Sequence, residues 1–307
     1  MNNKANRLRR ASIALVILTT GLVVPQAGAR QLEEVVVTAT KREAGMQDIP
    51  IAITALSGEM LESKNILSAR ALENFTPGLR IPQQDASKTF VRIRGVGSRK
   101  FDIGSEGSVG VFVDEIYMPR FSATDIGFLD VERVEVLKGP QGTLLGRNTA
   151  AGALNVTNRR PTSEREGYVE GGIGDEDSYL LRGAISGAVS DNVDMRFAAG
   201  VSEDGGLQEN TLTGNTDDRE TTALRWQTAW AASDSVDVLA GLHYAEREQK
   251  ALLQKNTAIG DDDVIFPLLG APGRTFTAND DFREYPISED GNFDGELLRA
   301  NLRLEKQ

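Results

Sequence analysis

LDVERVEVLKGPQGTLLGRNTAAGALNVTNRRP, running from Leu129 to Pro161, is the stretch whose reading decides the fold. Val131, Val134 and Val136 in a β-branched run predict a strand, and the run stops at Gly139-Pro140 because proline brings no ladder donor. The glycines at 139, 142, 146 and 152, together with Asn148, demand a turn-rich, close-packed connection. A second short strand, Ala153 to Thr157, closes the unit before Arg159-Arg160-Pro161. A strand followed by a glycine-rich loop also suggests a phosphate cradle. That reading fails on spacing, because Lys138 precedes the glycines and no glycine here has Gly-Lys five positions on.

Composition narrows the chemistry. The chain has 307 residues, a formal charge of -11, no cysteine and one histidine, His243. Disulfides, thiolate nucleophiles and thiolate-bound metals are excluded, as is any site needing two histidines. A hydrolase built on a histidine base would have only His243 to use, within a strand-like segment. The acidic balance argues against nucleic acid as a partner, since phosphate neutralisation needs a basic face. Met1 to Arg10 carries Lys4, Arg7, Arg9 and Arg10, Ala11 to Val24 is apolar, and Ala27-Gly28-Ala29 fits a small-x-small cleavage site. Residues 1–29 therefore read as a secretory signal peptide. The apolar run falls short of the ~20 residues that a spanning helix needs. The mature chain is expected beyond the inner membrane.

Arg30 to Arg42 is β-branched with nothing nearby to pair with, and such a segment can add to the edge of another protein's sheet. Ile49 to Thr54 predicts a strand, and Ser57 and Ser68 are N-caps of helical pieces whose leucines and isoleucines form a core. Phe90 to Gly97 reads as a strand in which period two puts Arg92 and Arg94 on one face. Gly107 to Tyr117 is another strand and turn.

From Gly167 the pattern changes to long alternations. Tyr179, Leu181, Ile185 and Val189 alternate with Arg182, Ser186 and Ser190. Val193, Met195, Phe197 and Val201 alternate with Asp194, Arg196 and Ser202. Leu224, Trp226 and Trp230 alternate with Arg225 and Gln227, and Val236, Val238, Leu242 and Tyr244 with Asp237 and His243, where Leu239 breaks the polar face. Segments of about ten residues, apolar on one side and joined by alternately tight and long connections, match a transmembrane barrel wall. A soluble β-sandwich also alternates, and Trp226, Trp230 and Tyr244, placed near strand ends, favour the membrane reading. The acidic run Asp261-Asp262-Asp263 lacks the spacing of a calcium loop and reads as solvated charge.

The stretch from Val131 to Asn155, with Val131-Glu132-Arg133-Val134-Glu135-Val136-Leu137-Lys138-Gly139-Pro140 followed by Gly142, Gly146, Gly152 and Asn155, closely resembles the end of the plug domain of TonB-dependent outer-membrane receptors. Ala151 stands where a glycine is commoner. Glu33, Glu34, Val35, Val36, Val37, Thr38, Ala39 and Thr40 look like the TonB box of that family, the segment that pairs with TonB in the periplasm. The resemblance implies a signal peptide at 1–29, TonB box and linker at 30–45, an α+β plug domain at 46–161, and antiparallel transmembrane β-barrel strands over 167–307. It implies a lock between plug and barrel, with Arg92, Arg94, Arg133 and Glu135 as its plug residues. It places ligand contacts in the loops 99–107 and 118–124, with Arg99, Phe101, Tyr117 and Arg120 as candidates. Relatives commonly have glycine where Glu115 stands, so a different turn type is expected there.

The implied activity is energy-coupled transport across the bacterial outer membrane, without covalent chemistry and without a cofactor. A ferric siderophore is the commonest cargo in the family, with cobalamin and saccharides as alternatives, and outer-membrane lipid is the surrounding solvent. A surface-signalling receptor would carry an extra domain before the TonB box. The residues after Pro161 suffice for about six strands at roughly ten residues each, whereas barrels holding a plug have about 22. The expectation is a fragment of a longer receptor or a truncated, non-functional product.

Overall fold

The computed structural model describes residues 36–37, 44–45, 50–85, 88–97, 106–119, 128–206, 209–210, 216–250, 284–285 and 292–306. All of them belong to one compact unit, Val35–Gln307. The segment expected to be a signal peptide lies outside them. Among them no helix is long and apolar enough to cross a membrane, which says nothing of strands.

The N-terminal part is a mixed domain. β1 (Val36–Val37) pairs with β2 (Ala44–Gly45). After β3 (Ala52–Ser57) comes α1 (Gly58–Ser63), capped where expected: the Ser57 hydroxyl accepts from the Met60 amide at 3.3 Å. The second helical piece is a single 3-10 run, Arg70–Asn74, with the Ser68 hydroxyl accepting from the Ala71 amide at 3.4 Å. β4 (Leu79–Arg80) pairs with β7 (Arg92–Ile93), and β5 (Gln83–Asp85) with β6 (Lys88–Thr89). β8 (Val109–Val113), β9 (Ile116–Tyr117), β10 (Val131–Lys138) and β11 (Gly152–Asn158) join β3 in a five-stranded sheet ordered β3-β10-β11-β8-β9.

β10 is the central rib of that sheet, antiparallel to both β3 and β11. The short helix α2 (Gly142–Leu145) fills the glycine-rich connection between β10 and β11. Gly152 has φ +145, and a Cβ there would lie 2.1 Å from the Leu137 carbonyl oxygen, so no other residue fits. Val134, Val136 and Leu154 meet Ile66, Leu72, Leu79, Ile81 and Ile93 in a water-free core. Burial of side chains this size stabilises by about 1.5–3 kcal/mol each.

Two details differ from the sequence reading. The strand at Phe90 to Gly97 is only Arg92–Ile93, because Arg94 has φ +53 and turns the chain. Period two therefore ends before it can align Arg92 with Arg94. The β8–β9 connection is a two-residue turn with φ +50 at Asp114 and +66 at Glu115, the type I′ geometry that suits the twist of a hairpin.

The C-terminal part is a six-stranded antiparallel sheet: β12 (Glu166–Ile173), β13 (Tyr179–Ser190), β14 (Val193–Asp204), β16 (Arg219–Ser233), β17 (Val236–Lys250) and β19 (Asn292–Lys306), each beside the next. A separate parallel pair, β15 (Glu209–Asn210) with β18 (Glu284–Tyr285), lies between them in sequence. Asp191-Asn192 and Asp234-Ser235 are the tight turns.

This sheet, the wall, is inside out by the standards of a soluble protein. Leu181, Ile185, Val189, Phe197, Leu224, Trp226, Leu242, Leu298 and Leu302 are exposed on its outer face, while Arg182, Arg196, Arg225, Arg247 and Arg299 are buried on its inner face. Water would reverse that choice, and hydrocarbon outside with a polar interior enforces it. Trp230 lies near a strand end, but Trp226 and Tyr244 sit mid-strand and do not belong to an interfacial girdle.

Candidate functional site

The inner face of the wall holds the N-terminal domain through arginines. Leu129, flanked by Tyr168 and Leu297, packs onto Ala184, Ala198, Ala223 and Ala245, which are small enough to let the two backbones approach. Around this apolar contact the charged residues gather.

Asp130 is the centre. It precedes β10, has φ +54, and its carboxylate is fully removed from water. A short polar side chain tolerates the left-handed conformation. Arg196 donates to it twice, Nη2 to Oδ1 at 2.6 Å and Nε to Oδ2 at 2.7 Å. Arg225 donates from Nη2 to Oδ2 at 2.6 Å and to the Asp130 carbonyl at 2.9 Å, and from Nη1 to the Leu129 carbonyl at 2.6 Å. Arg182 adds a bond from Nη1 to the Phe128 carbonyl at 2.9 Å. The rigid fork of guanidinium donors explains how carbonyls and a carboxylate are served together.

Two acids on β12 complete the balance: Glu170 accepts from Arg182 Nε at 2.7 Å and Glu166 from Arg196 Nη1 at 2.7 Å. A buried cation without such partners would cost several kcal/mol.

A second contact forms at the type I′ turn. Arg299 donates to Asp114 Oδ2 at 2.8 Å and to the Val113 carbonyl at 3.2 Å. Asp114 is itself held by the Asn158 amide at 2.9 Å and side chain at 2.7 Å. Glu115 pairs with Arg303. Beside this turn a cavity of about 460 Å³ separates the domain from the wall, with Glu132, Arg133, Gln227, Leu239 and Arg303 among its lining residues. Leu239, which breaks the polar face of its strand, thus faces that cavity.

The four residues expected to form the lock fall as follows. Arg133 pairs with Glu132 and, at 3.0 Å, with Glu135, and it lines the cavity facing the wall. Glu135 is fully buried and accepts from Asn155 at 3.1 Å. Arg92 is half-buried in β7, and Arg94 is exposed at the turn that follows. Ion pairs across the seam are also formed by Asp114, Glu115, Asp130 and Arg160, which meet Arg299, Arg303, the Arg196–Arg225 pair and Glu305. The available signal was one inward-parity arginine on each of several wall strands. Their acidic partners, up to 188 residues away along the chain, left no local trace.

Among the ligand candidates, Tyr117 packs against Phe112 with the rings tilted at 56° and their centroids 5.6 Å apart, and its hydroxyl accepts from Asn148 at 2.8 Å. Arg99, Phe101 and Arg120 lie outside the described residues. So do Glu33, Glu34, Val35, Thr38, Ala39 and Thr40. Val36 and Val37 do not stand alone as expected: they pair with Gly45 and Ala44. A ladder this short is marginal, and each of its strands keeps one open edge.

Comparison with known proteins is consistent with this geometry. A family model described as TonB-dependent Receptor Plug Domain matches residues 46–153. The chain is 31% identical over 182 residues to a pesticin receptor of Yersinia pestis, covering 56% of this chain and 26% of the relative. It is 27% identical over 169 residues to a ferric-pyoverdine 358 receptor of Pseudomonas putida, covering 53% and 20%. Among solved structures, the ferric yersiniabactin uptake receptor of Yersinia pestis superposes with a TM-score of 0.61 at 25% identity, over 66% of this chain and 32% of that one. The ferripyoverdine receptor of Pseudomonas aeruginosa gives 0.67 at 20% identity over 87% and 34%, a likeness of fold. The chain spans about a quarter of the length of the curated relatives it matches.

Proposed function

From a chain that belongs to the TonB-dependent receptor family, with its plug domain matched over residues 46–153, we propose a part in energy-coupled import of a ferric siderophore across the bacterial outer membrane. Residues 46–161 act as the plug and 167–307 as part of the wall around it. Residues 1–29 direct export, and Glu33 to Thr40 pair with TonB through main-chain hydrogen bonds at an open strand edge. The names of two relatives, a ferric-pyoverdine receptor and a ferric yersiniabactin uptake receptor, support iron chelates as the cargo class.

The observation that carries this reading is the buried seating of Asp130 on Arg196 and Arg225. Ion pairs sealed from water hold a plug firmly, yet they are lost once the segment is drawn into water, where charges are solvated again. A seam of that kind suits a stopper that is moved by force rather than by diffusion. The wall contributes the arginines, and the plug contributes carboxylates and main-chain carbonyls.

Uptake of radioactive iron presented as a siderophore complex tests the proposal. It is expected to require TonB, to stop on collapse of the proton gradient, and to be lost on deletion of residues 33–40 while ligand still binds at the surface. Uptake that persists in cells lacking TonB overturns it.

A further inference from the structure

The outer face of the wall is not uniformly smooth. Beside the β13–β14 turn, β12 and β13 present Gly167 and Gly187 outward, and a groove of about 840 Å³ opens over them, bordered by Met195, Phe197 and Trp226. That volume lies in the range of ligand sites. Arg165 borders the groove at its turn end, with its Cγ 3.1 Å from where a Cβ on Gly187 would stand. The arginine lies down across the sheet because residue 187 has no side chain. Its neighbour Glu166 is engaged inward with Arg196, and among the described residues Arg165 itself has no acidic partner.

We propose that this groove binds one glycerophospholipid, with its phosphate on Arg165 and an acyl chain over Gly167 and Gly187. The inference rests on reading the outward face as lipid-facing. Two-residue turns join β13 to β14 and β16 to β17 at the end where Arg165 stands, and short turns mark the periplasmic side of such walls. The lipid therefore belongs to the periplasmic leaflet.

Dimensions agree. Arg165 to Val169, at ~3.3 Å per residue, spans about 13 Å, close to half of a ~30 Å hydrocarbon core. The charge is complementary as well. A guanidinium is the side chain best matched to phosphate, and a basic residue beside a lipid-facing pocket recognises headgroups. The aromatic rings of Phe197 and Trp226 supply the apolar flank that a protein partner's polar rim would not need.

The test uses the full chain in detergent micelles doped with phosphatidylglycerol, read by native mass spectrometry after the micelle is stripped. One retained phosphatidylglycerol per chain is expected. Arg165→Gln lowers retention about tenfold through loss of a charge-assisted bond, Arg165→Lys lowers it less, and Gly187→Phe lowers it by filling the floor of the groove. Arg165→Gln touches no described ion pair, so it reads the site even where Gly187→Phe perturbs the sheet. Equal retention by wild type and Arg165→Gln, or a graded series of lipids with no preferred single occupancy, means an adventitious additive only and overturns the site. The readout contains neither iron nor TonB, so its failure leaves the uptake proposal standing, and failure of uptake leaves the site standing.

Discussion

Arg196 of the wall and Asp130 of the plug form a two-bonded ion pair across the seam, 2.6 and 2.7 Å long, with both side chains sealed from water. Removing one member strands the other charge. Asp130→Asn is expected to destabilise the seated plug by about 3–5 kcal/mol, whereas Asp130→Asn combined with Arg196→Gln costs less than the sum of the two. Urea titration and limited proteolysis of the plug measure this. Additive losses contradict a direct coupling.

Glu115 occupies φ +66, a conformation that costs an ordinary side chain roughly 1–2 kcal/mol. Its ion pair with Arg303 is largely exposed on the Glu115 side and so contributes little. Glu115→Gly should therefore raise stability by about 0.5–1 kcal/mol, seen as a higher urea midpoint. A lower midpoint would mean that the ion pair outweighs the strain.

Lys138, at the end of β10, has its ammonium disfavoured first by burial and then by the nearby Arg94 guanidinium, so its pKa lies below 10.5. The unfolded lysine keeps its proton to higher pH than the folded one. Stability contributed by this residue thus rises with pH across the interval between the folded value and 10.5. At pH 9 Lys138 is expected to acylate faster than fully solvated lysines, and Arg94→Gln to slow it. Mass-spectrometric labelling rates decide the matter.

Leu224 faces outward in the middle of β16. Leu224→Arg should cost about 2–4 kcal/mol in phospholipid vesicles, as charge does near the middle of a bilayer. In a soluble sandwich an exposed arginine would cost almost nothing. Unfolding in vesicles, followed by tryptophan fluorescence, separates the two, and an unchanged midpoint would count against lipid on that face.

Much of the architecture was legible along the chain. Val131 to Lys138, the glycine at 152, the cap at Ser57 and the alternation of the wall strands are local patterns, and local sterics and burial are enough to read them. About six strands were expected after Pro161, and among the described residues the wall sheet has six. The seam was legible only in halves. Arg182, Arg196 and Arg225 could be assigned to the polar face, but Asp130 gave no sign of being their anchor. Arg92 and Arg94 looked paired because an extended strand was assumed, and a single left-handed residue undid the parity.

What the sequence alone determined is which faces are apolar and where strands begin and end, since periodicity and turn chemistry act over a few residues. Tertiary structure decided which charges meet. An ion pair closed from water depends on distances between segments dozens of residues apart, and only the docking of the plug against the wall sets those distances.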